Sequence, residues 1–397
     1  MTEPVEPQAQ GGFSGLSGFY ERAGGVIVPL AATLVAFLIG GLVVLITGHN
    51  PFSAYQAIFE GTGFNWPYQV LTGQDHAQAG RDLQQTLIVA TPLALTGLAV
   101  AFAFRCGLFN IGGQGQYWLG FIGALWIGTH MSGLNRPTHL ALGILAGIVC
   151  GALWGGIAGL LRATVGAHEV ITTIMLNWIA IFGGQYLFEL GGPLQGSDPS
   201  LPRSEIIADS AKLWIVWPGH RAVLHAGIFI ALAALVVYYI LLNRTTLGFE
   251  VRAVGFNPEA ARYSGIPVRR SYFLALAIAG AFAGLAGAVD VLGNKYSVDT
   301  SNFGSQVGFV GIAVALLGRN KAIGILFASL LFAGLQTGTS TRQLDPSVFN
   351  PALATDLATM IQALVIFFVG AELLILYVWR ARRYLRIRRP VGEEPAL

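Results

Sequence analysis

The strongest constraint on this chain is the recurrence of long apolar runs, each close to the roughly 20 residues that a helix needs to cross about 30 Å of hydrocarbon. Ten are assigned, at 26–47, 84–104, 107–129, 139–161, 168–190, 224–243, 272–292, 304–318, 321–339 and 357–379. The runs are continuous and rich in Leu, Ala, Ile and Gly, whereas a membrane barrel is built from short segments of alternating polarity. Only 11% of the residues are charged and 54% are hydrophobic, against about 25% charged in an ordinary globular domain. The expected fold class is all-α: a polytopic integral membrane protein of about ten transmembrane helices.

Charge sets the expected orientation. With the N-terminus inside, 16 of the 23 Lys and Arg fall on one face: Arg22, Arg105, Arg162, the 244–270 loop, Arg319, Lys321 and the C-terminal tail. The other face carries 7: Arg81, Arg136, Arg203, Lys212, Arg221, Lys295 and Arg342. Cytoplasmic loops carry the excess of Lys and Arg, so both termini are expected inside. The chain then divides into a cytoplasmic tail (1–25), a transmembrane domain (26–379) and a basic cytoplasmic tail (380–397), whose "RARRYLRIRR" reads as a stop-transfer and headgroup anchor. The net charge of +3 lies where that rule puts it and calls for no nucleic acid. The first run is too long for the apolar core of a cleaved signal peptide, and Glu3, Glu6 and Glu21 precede it with a lone Arg22. Cys106 and Cys150 fall at an inner membrane edge and inside a span, where neither a disulfide nor a metal site is expected.

Only three connections are long: 48–83 and 191–223 outside, and 244–271 inside. None reaches the 50 or so residues of a soluble catalytic domain. The three lysines, Lys212, Lys295 and Lys321, do not follow glycine, so the chain has no phosphate-binding GxxxxGK[ST] loop. "HEVIT" (168–172) lacks the second histidine of the zinc-protease helix, and "GGQGQYW" neither follows a strand nor completes a dinucleotide fingerprint. A short echo joins "GLAVAFAFR" (97–105) to "GIAVALLGR" (311–319), as an internal repeat of a transporter would.

The inner loop specifies a short helix. Asn257 is a good N-cap, Pro258 suits the first helical position, Glu259 complements the helix dipole, and Gly265 with Pro267 ends the turn. The resulting helix, about 258–264, carries Ala260, Ala261 and Tyr263. It reads as a surface held out for a partner, since seven residues bury little apolar area on a membrane.

The stretch "GFEVRAVGFNPEAARYSGI" resembles the coupling segment in permease subunits of ATP-binding-cassette importers, in the branch serving ribose, branched-chain amino acids and nucleosides. "FNIGGQGQ" (109–116) and "HEVITTIMLNWI" (168–179) are similar to the paired signatures of the nucleoside-type permeases, whose binding proteins are basic-membrane-protein lipoproteins. The three stretches lie in the family's order and topology. The family often has an acidic residue where Gln114 stands, so a charge-dependent role at that position does not carry over.

The resemblance implies a non-catalytic permease in the plasma (inner) membrane of a prokaryote, with ATP and Mg bound by separate ATPase subunits and no cofactor on this chain. It also implies an external substrate-binding lipoprotein and a second permease. The extra first span and long outer loop resemble the larger of two paired permeases, so the second is expected to be a different, shorter chain. Lipid is the remaining partner and nucleic acid is not expected. Nucleosides are the first choice of solute, with ribose-like sugars and branched-chain amino acids as alternatives. An ion-coupled transporter working alone would want ionisable residues at mid-membrane, and the central turns of these spans almost lack them.

The third span carries "NIGGQGQ" close to its inner end, where glycines weaken a helix and amides need partners. A broken helix near 110–116 facing a translocation pathway is expected, because irregular backbone at membrane depth must be buried in protein or line a cavity. The alternative for the glycines is close helix packing. Asn110, Gln114 and Gln116 are candidate pathway residues. In the fifth span Glu169, Thr173 and Asn177 share a helical stripe. Thr173 and Asn177 either bond a neighbouring helix or face the solute, and Trp178 and Trp118 either line the path or pack. Asp290, Gln306 and Gln336 fall near outer ends and form an external mouth or are simply solvated. Glu372 is expected to pair with a basic residue.

Overall fold

The computed structural model of the chain describes residues 14–218, 223–340 and 351–370. In order its helices are α1 (Ser14–Ile46), α2 (Pro51–Gly61), α3 (Trp66–Thr72), α4 (Ala77–Arg105), α5 (Gly113–His130), α6 (Arg136–Val165), α7 (Glu169–Phe188) and α8 (Gly227–Arg244). Then come α9 (Thr246–Phe256), α10 (Pro258–Tyr263), α11 (Val268–Asp290), α12 (Val307–Leu317), α13 (Ala322–Gly338) and α14 (Pro351–Gly370). A small antiparallel hairpin, β1 (Ile215–Trp217) and β2 (Leu224–His225), lies between α7 and α8. Among the described residues, eight helical stretches are long and apolar enough to cross a membrane and α13 is a shorter apolar helix. Each of the ten expected spans holds a helix. The expected tail anchor at 380–389 and Glu372 lie outside the described residues.

The core is a close approach of backbones. Gly143, Gly147, Gly151, Gly155 and Gly159 recur every fourth residue along α6, one stripe of that helix. They meet Leu292, Ala288, Gly284, Gly280 and Phe273 in descending order along α11 and its extension. A methyl group on Gly151 would stand 2.6 Å from the Cα of Gly284, and one on Gly159 would stand 2.9 Å from the carbonyl of Phe273. Without a hydrophobic drive between helices in lipid, such small-residue contact is what lets dispersion hold them together. Helix α11 is thereby surrounded by α4, α5 and α6, and its stretch from Phe282 to Asp290 is buried throughout. At the periphery α1 packs mainly on α14, while α7 touches α5, α6 and the turn before α12.

The echoed segments pack on each other. Their first residues, Gly97 and Gly311, lie where α4 and α12 cross, Gly97 facing Val314 and Gly311 facing Thr96.

Several boundaries depart from expectation. Helix α1 reaches back to Ser14, inside the expected tail. Helix α4 starts at Ala77 rather than 84, and the inner loop holds a further helix, α9, capped by the Thr245 hydroxyl on Gly248 N at 3.1 Å. The break expected near 110–116 lies at 106–112, with Gly113 onward helical. There the glycines serve close approach: Gly113 faces Gly308, and Gly115 faces Asn177 and Trp154.

Candidate functional site

Two helices begin inside the membrane layer and meet there. Helix α4 ends at Arg105, whose Nη2 donates to the carbonyl of Asn320 at 3.0 Å. Arg319 and Lys321 flank that residue, so this edge is the one that the positive-inside rule expects at the cytoplasm. From it the chain climbs without helix to Gly113, where α5 starts. On the other side, the outward-running α11 continues into a π-helical turn, Val291–Lys295, and a 3₁₀ turn, Thr300–Gly304, before α12 runs back inward.

Depth follows from helix rise. Thr96 Oγ1 lies 3.3 Å from the carbonyl of Val307, and Thr96 is nine residues before Arg105, about 14 Å along α4. The 11 residues of α12 give about 16 Å by the same rise. Both counts place the α5 and α12 starts near the middle of a hydrocarbon layer about 30 Å thick.

Amides join the two starts. Gln114 Oε1 accepts from Gly308 N at 2.7 Å, and Gln114 Nε2 donates to the Ser305 carbonyl at 2.6 Å. Asn110 and Gln116 pair reciprocally at 3.0 and 3.1 Å, and Asn110 Oδ1 also accepts from Gly112 N at 2.9 Å. Asn177 of α7 accepts from Gly115 N at 2.7 Å and donates to the Ile111 carbonyl at 2.8 Å. Thr173 lies against Gly112 and donates back to the Val170 carbonyl at 3.2 Å. All five side chains are buried. Trp178 stands apart, 50% exposed and stacked on Phe182. Trp118 is buried against Phe303, ring centres 4.2 Å apart. Glu169 meets Arg162 at 3.5 Å beside Tyr272.

A charged cluster above the junction was not anticipated. Tyr117 donates to Asp290, Lys295 Nζ lies 3.0 Å from the same carboxylate oxygen, and Asn294 donates to the other at 3.1 Å. The ammonium also lies over the rings of Tyr117, Trp118 and Phe121. Five residues along an α-helix point to different sides; the π turn brings Asp290 and Lys295 to one side. Asp290 is no external mouth: its neighbours Ala288 and Leu292 meet Gly147 and Gly143, about 10–16 Å below the outer end of α6. Residues 204–213 roof the cluster through bonds from Ser204 to Val298, Ala208 to Gly128 and Leu213 to Leu292. In that roof, the hydrogen bond and charge of Lys212 hold the Asp209 carboxyl below its usual range.

At the inner face α10 has the expected caps. Asn257 Oδ1 accepts from Glu259 N and Ala260 N at 3.0 and 3.1 Å, and Gly265 adopts φ +82° just past the helix. Pro258, Glu259 and Ala260 are exposed and Ala261 is buried. Phe256 and Tyr263 are 91% and 94% exposed. Gly255 lies directly against the Arg105 carbonyl, so this loop rests on the foot of the climbing segment.

Comparison with known proteins agrees with this architecture. The sequence pattern of the family described as "Branched-chain amino acid transport system / permease component" matches residues 83–370. The chain is 37% identical over 368 residues to the guanosine ABC transporter permease protein NupP of Bacillus subtilis, covering 90% of this chain and 97% of that one. It is 36% identical over 356 residues to the nucleoside ABC transporter permease protein NupB of Lactococcus lactis, covering 88% and 92%. It is also 37% identical over 350 residues to the glucose ABC transporter permease protein TsgB13 of Haloferax volcanii, covering 86% of each. No solved structure matches the chain. The chain belongs to the family of branched-chain amino acid transport system permease components, as a multi-pass inner-membrane subunit of an ABC transporter.

Proposed function

We propose that this chain is the permease subunit of an ATP-driven importer of nucleosides. The observation that carries the choice of solute is the similarity to a guanosine permease across nine-tenths of the chain. The junction's chemistry supports it. A neutral base and ribose need hydrogen-bonding groups and flat apolar faces, and an anionic solute would need a cation not already engaged. Lys295 is engaged by Asp290 and Arg105 by Asn320.

Asn110, Gln114, Gln116, Thr173 and Asn177 border the pathway, with Trp178 on its α7 flank. In this state Asn110 is engaged with Gln116, and Gln114 and Asn177 with backbone groups, so contact with solute requires those bonds to exchange during alternating access. Asn257, Pro258, Glu259, Ala260, Ala261, Tyr263 and Gly265 form the element that an ATPase subunit grips. ATP and Mg are bound there and this chain carries no cofactor. A second, shorter permease and an external lipoprotein that delivers the solute complete the assembly.

The glucose permease relative makes a sugar the second reading. Uptake of labelled guanosine by cells expressing the whole transporter decides between them. Competition by unlabelled purine or pyrimidine nucleosides, and none by leucine, valine or isoleucine, is expected. Competition by glucose or ribose but by no nucleoside would move the assignment to sugars.

A further inference from the structure

The segment that descends from the outer loop to α12 is exposed where lipid does not tolerate it. Thr300 N bonds to Pro202 of the outer loop, whereas Ser305 and Gly308 lie against Gln114 near the membrane midplane. Between these points the chain is a 3₁₀ turn followed by two residues without helix. Phe303 anchors it, wedged against Gly184 of α7 and packed between Trp118 and Phe188. On the opposite side Ser301, Gly304 and Gln306 are exposed, and nothing stands within 4 Å of where a side chain on Gly304 would begin.

Non-helical backbone at membrane depth survives only when buried in protein or lining a water-filled cavity, because each unpaired polar group costs several kcal/mol in hydrocarbon. The exposed face is hydroxyl, glycine and amide, which does not suit lipid. One further group lacks a partner: Ser305 Oγ is buried with no hydrogen bond, a position that a water or a solute hydroxyl would satisfy.

We propose that Ser301, Gly304, Ser305 and Gln306 form the solute-contacting wall of the translocation pathway at mid-membrane. The Gln306 amide and the Ser301 and Ser305 hydroxyls bond the hydroxyls and ring carbonyls of a neutral polar solute. This assigns the contact surface to the α12 half-helix, with the buried amides of α5 and α7 holding it in place from behind. The identity of the solute rests on the nucleoside reading; the location of the wall does not.

The test uses the whole transporter in membranes, with Cys106→Ser and Cys150→Ala as background and Ser301→Cys, Gly304→Cys or Gln306→Cys introduced singly. A charged methanethiosulfonate is expected to label each about tenfold faster than Leu153→Cys and Ile157→Cys, at exposed apolar positions of α6. Saturating guanosine is expected to slow the labelling severalfold, and trapping the ATPase with vanadate to change its rate. Labelling only by a lipophilic maleimide, or labelling in the isolated chain that disappears in the assembled transporter, overturns the proposal, the latter showing that the second permease covers this face. Labelling that guanosine does not slow, while guanosine uptake is intact, overturns it as a solute contact. If guanosine is not transported but another transported solute slows the labelling, the wall stands and the nucleoside reading falls.

Discussion

Gln114 bonds both sides of the start of α12, its carbonyl to Gly308 N and its amide to the Ser305 carbonyl. One side chain thus holds two half-helix starts together, and it needs both a donor and an acceptor to do so. A carboxylate would keep the Gly308 bond but face the Ser305 oxygen with like charge, so the glutamine fixes a geometry that an acidic residue would loosen.

Gln114→Ala leaves Gly308 N–H and the Ser305 carbonyl unpaired in a dry site, at about 1–3 kcal/mol for each group. The variant is expected to unfold several degrees below the parent in detergent, with Gln114→Glu between the two. Equal melting temperatures for Gln114→Ala and the parent would contradict the staple.

The glycine stripe gives a sharper contrast. Gly151→Ala forces a methyl into the backbone of α11, where Gly280 and Gly284 have no side chain to move aside. Overpacking of this kind costs about 1–3 kcal/mol or more, and loss of folded protein at the membrane is expected. Gly183→Ala, in the same bundle but with open space around it, is expected to be neutral or slightly stabilising through helix propensity. Quantifying detergent-soluble, monodisperse protein for the two separates packing from a general intolerance of substitution.

The fold was legible because lipid admits so few solutions: the apolar runs located every long helix, and Asn257, Pro258 and Gly265 located α10. Other features had readable signals that single residues did not reveal. The five glycines from 143 to 159 state their spacing openly, yet only the facing Gly280 and Gly284 show that the stripe is the core. Asp290 reads as the outer end of a span and Lys295 as a residue of the outer face, and their five-residue spacing matches no α-helical face; a π turn unites them. Gln306 was placed at an outer end because 304–318 read as a span. Hydropathy cannot tell a helix that crosses from one that starts halfway.

The charged cluster is expected to behave as a coupled unit. Lys295→Met leaves the buried Asp290 carboxylate without its cation, and Asp290→Asn leaves the ammonium with only Tyr117 and ring faces, each change costing about 3–5 kcal/mol by analogy with other buried pairs. The double variant, neutral at both positions, is expected to recover much of the loss. A double-mutant cycle on thermal stability measures this, and additive losses would mean that the two charges do not act as a pair.

The inner loop gives the test of coupling. Phe256 and Tyr263 make almost no contact within the chain, so Phe256→Ala with Tyr263→Ala should leave its stability unchanged, within about 0.5 kcal/mol as for other surface changes. If those rings are what the ATPase grips, co-purification of the ATPase falls steeply and solute-stimulated hydrolysis falls with it. Gly265→Val acts by a different route, because a β-branched residue at φ +82° strains the turn by about 1–3 kcal/mol and tilts α10 without removing a contact. Weakened coupling is therefore expected from either change, with intact insertion in both. Because Gly255 rests on the Arg105 carbonyl at the foot of the climbing segment, Gly265→Val should also change the labelling rate of a cysteine at Gln306, some 16 Å higher by the rise of α12. Full transport by Gly265→Val combined with Glu259→Arg would remove α10 from the drive train altogether.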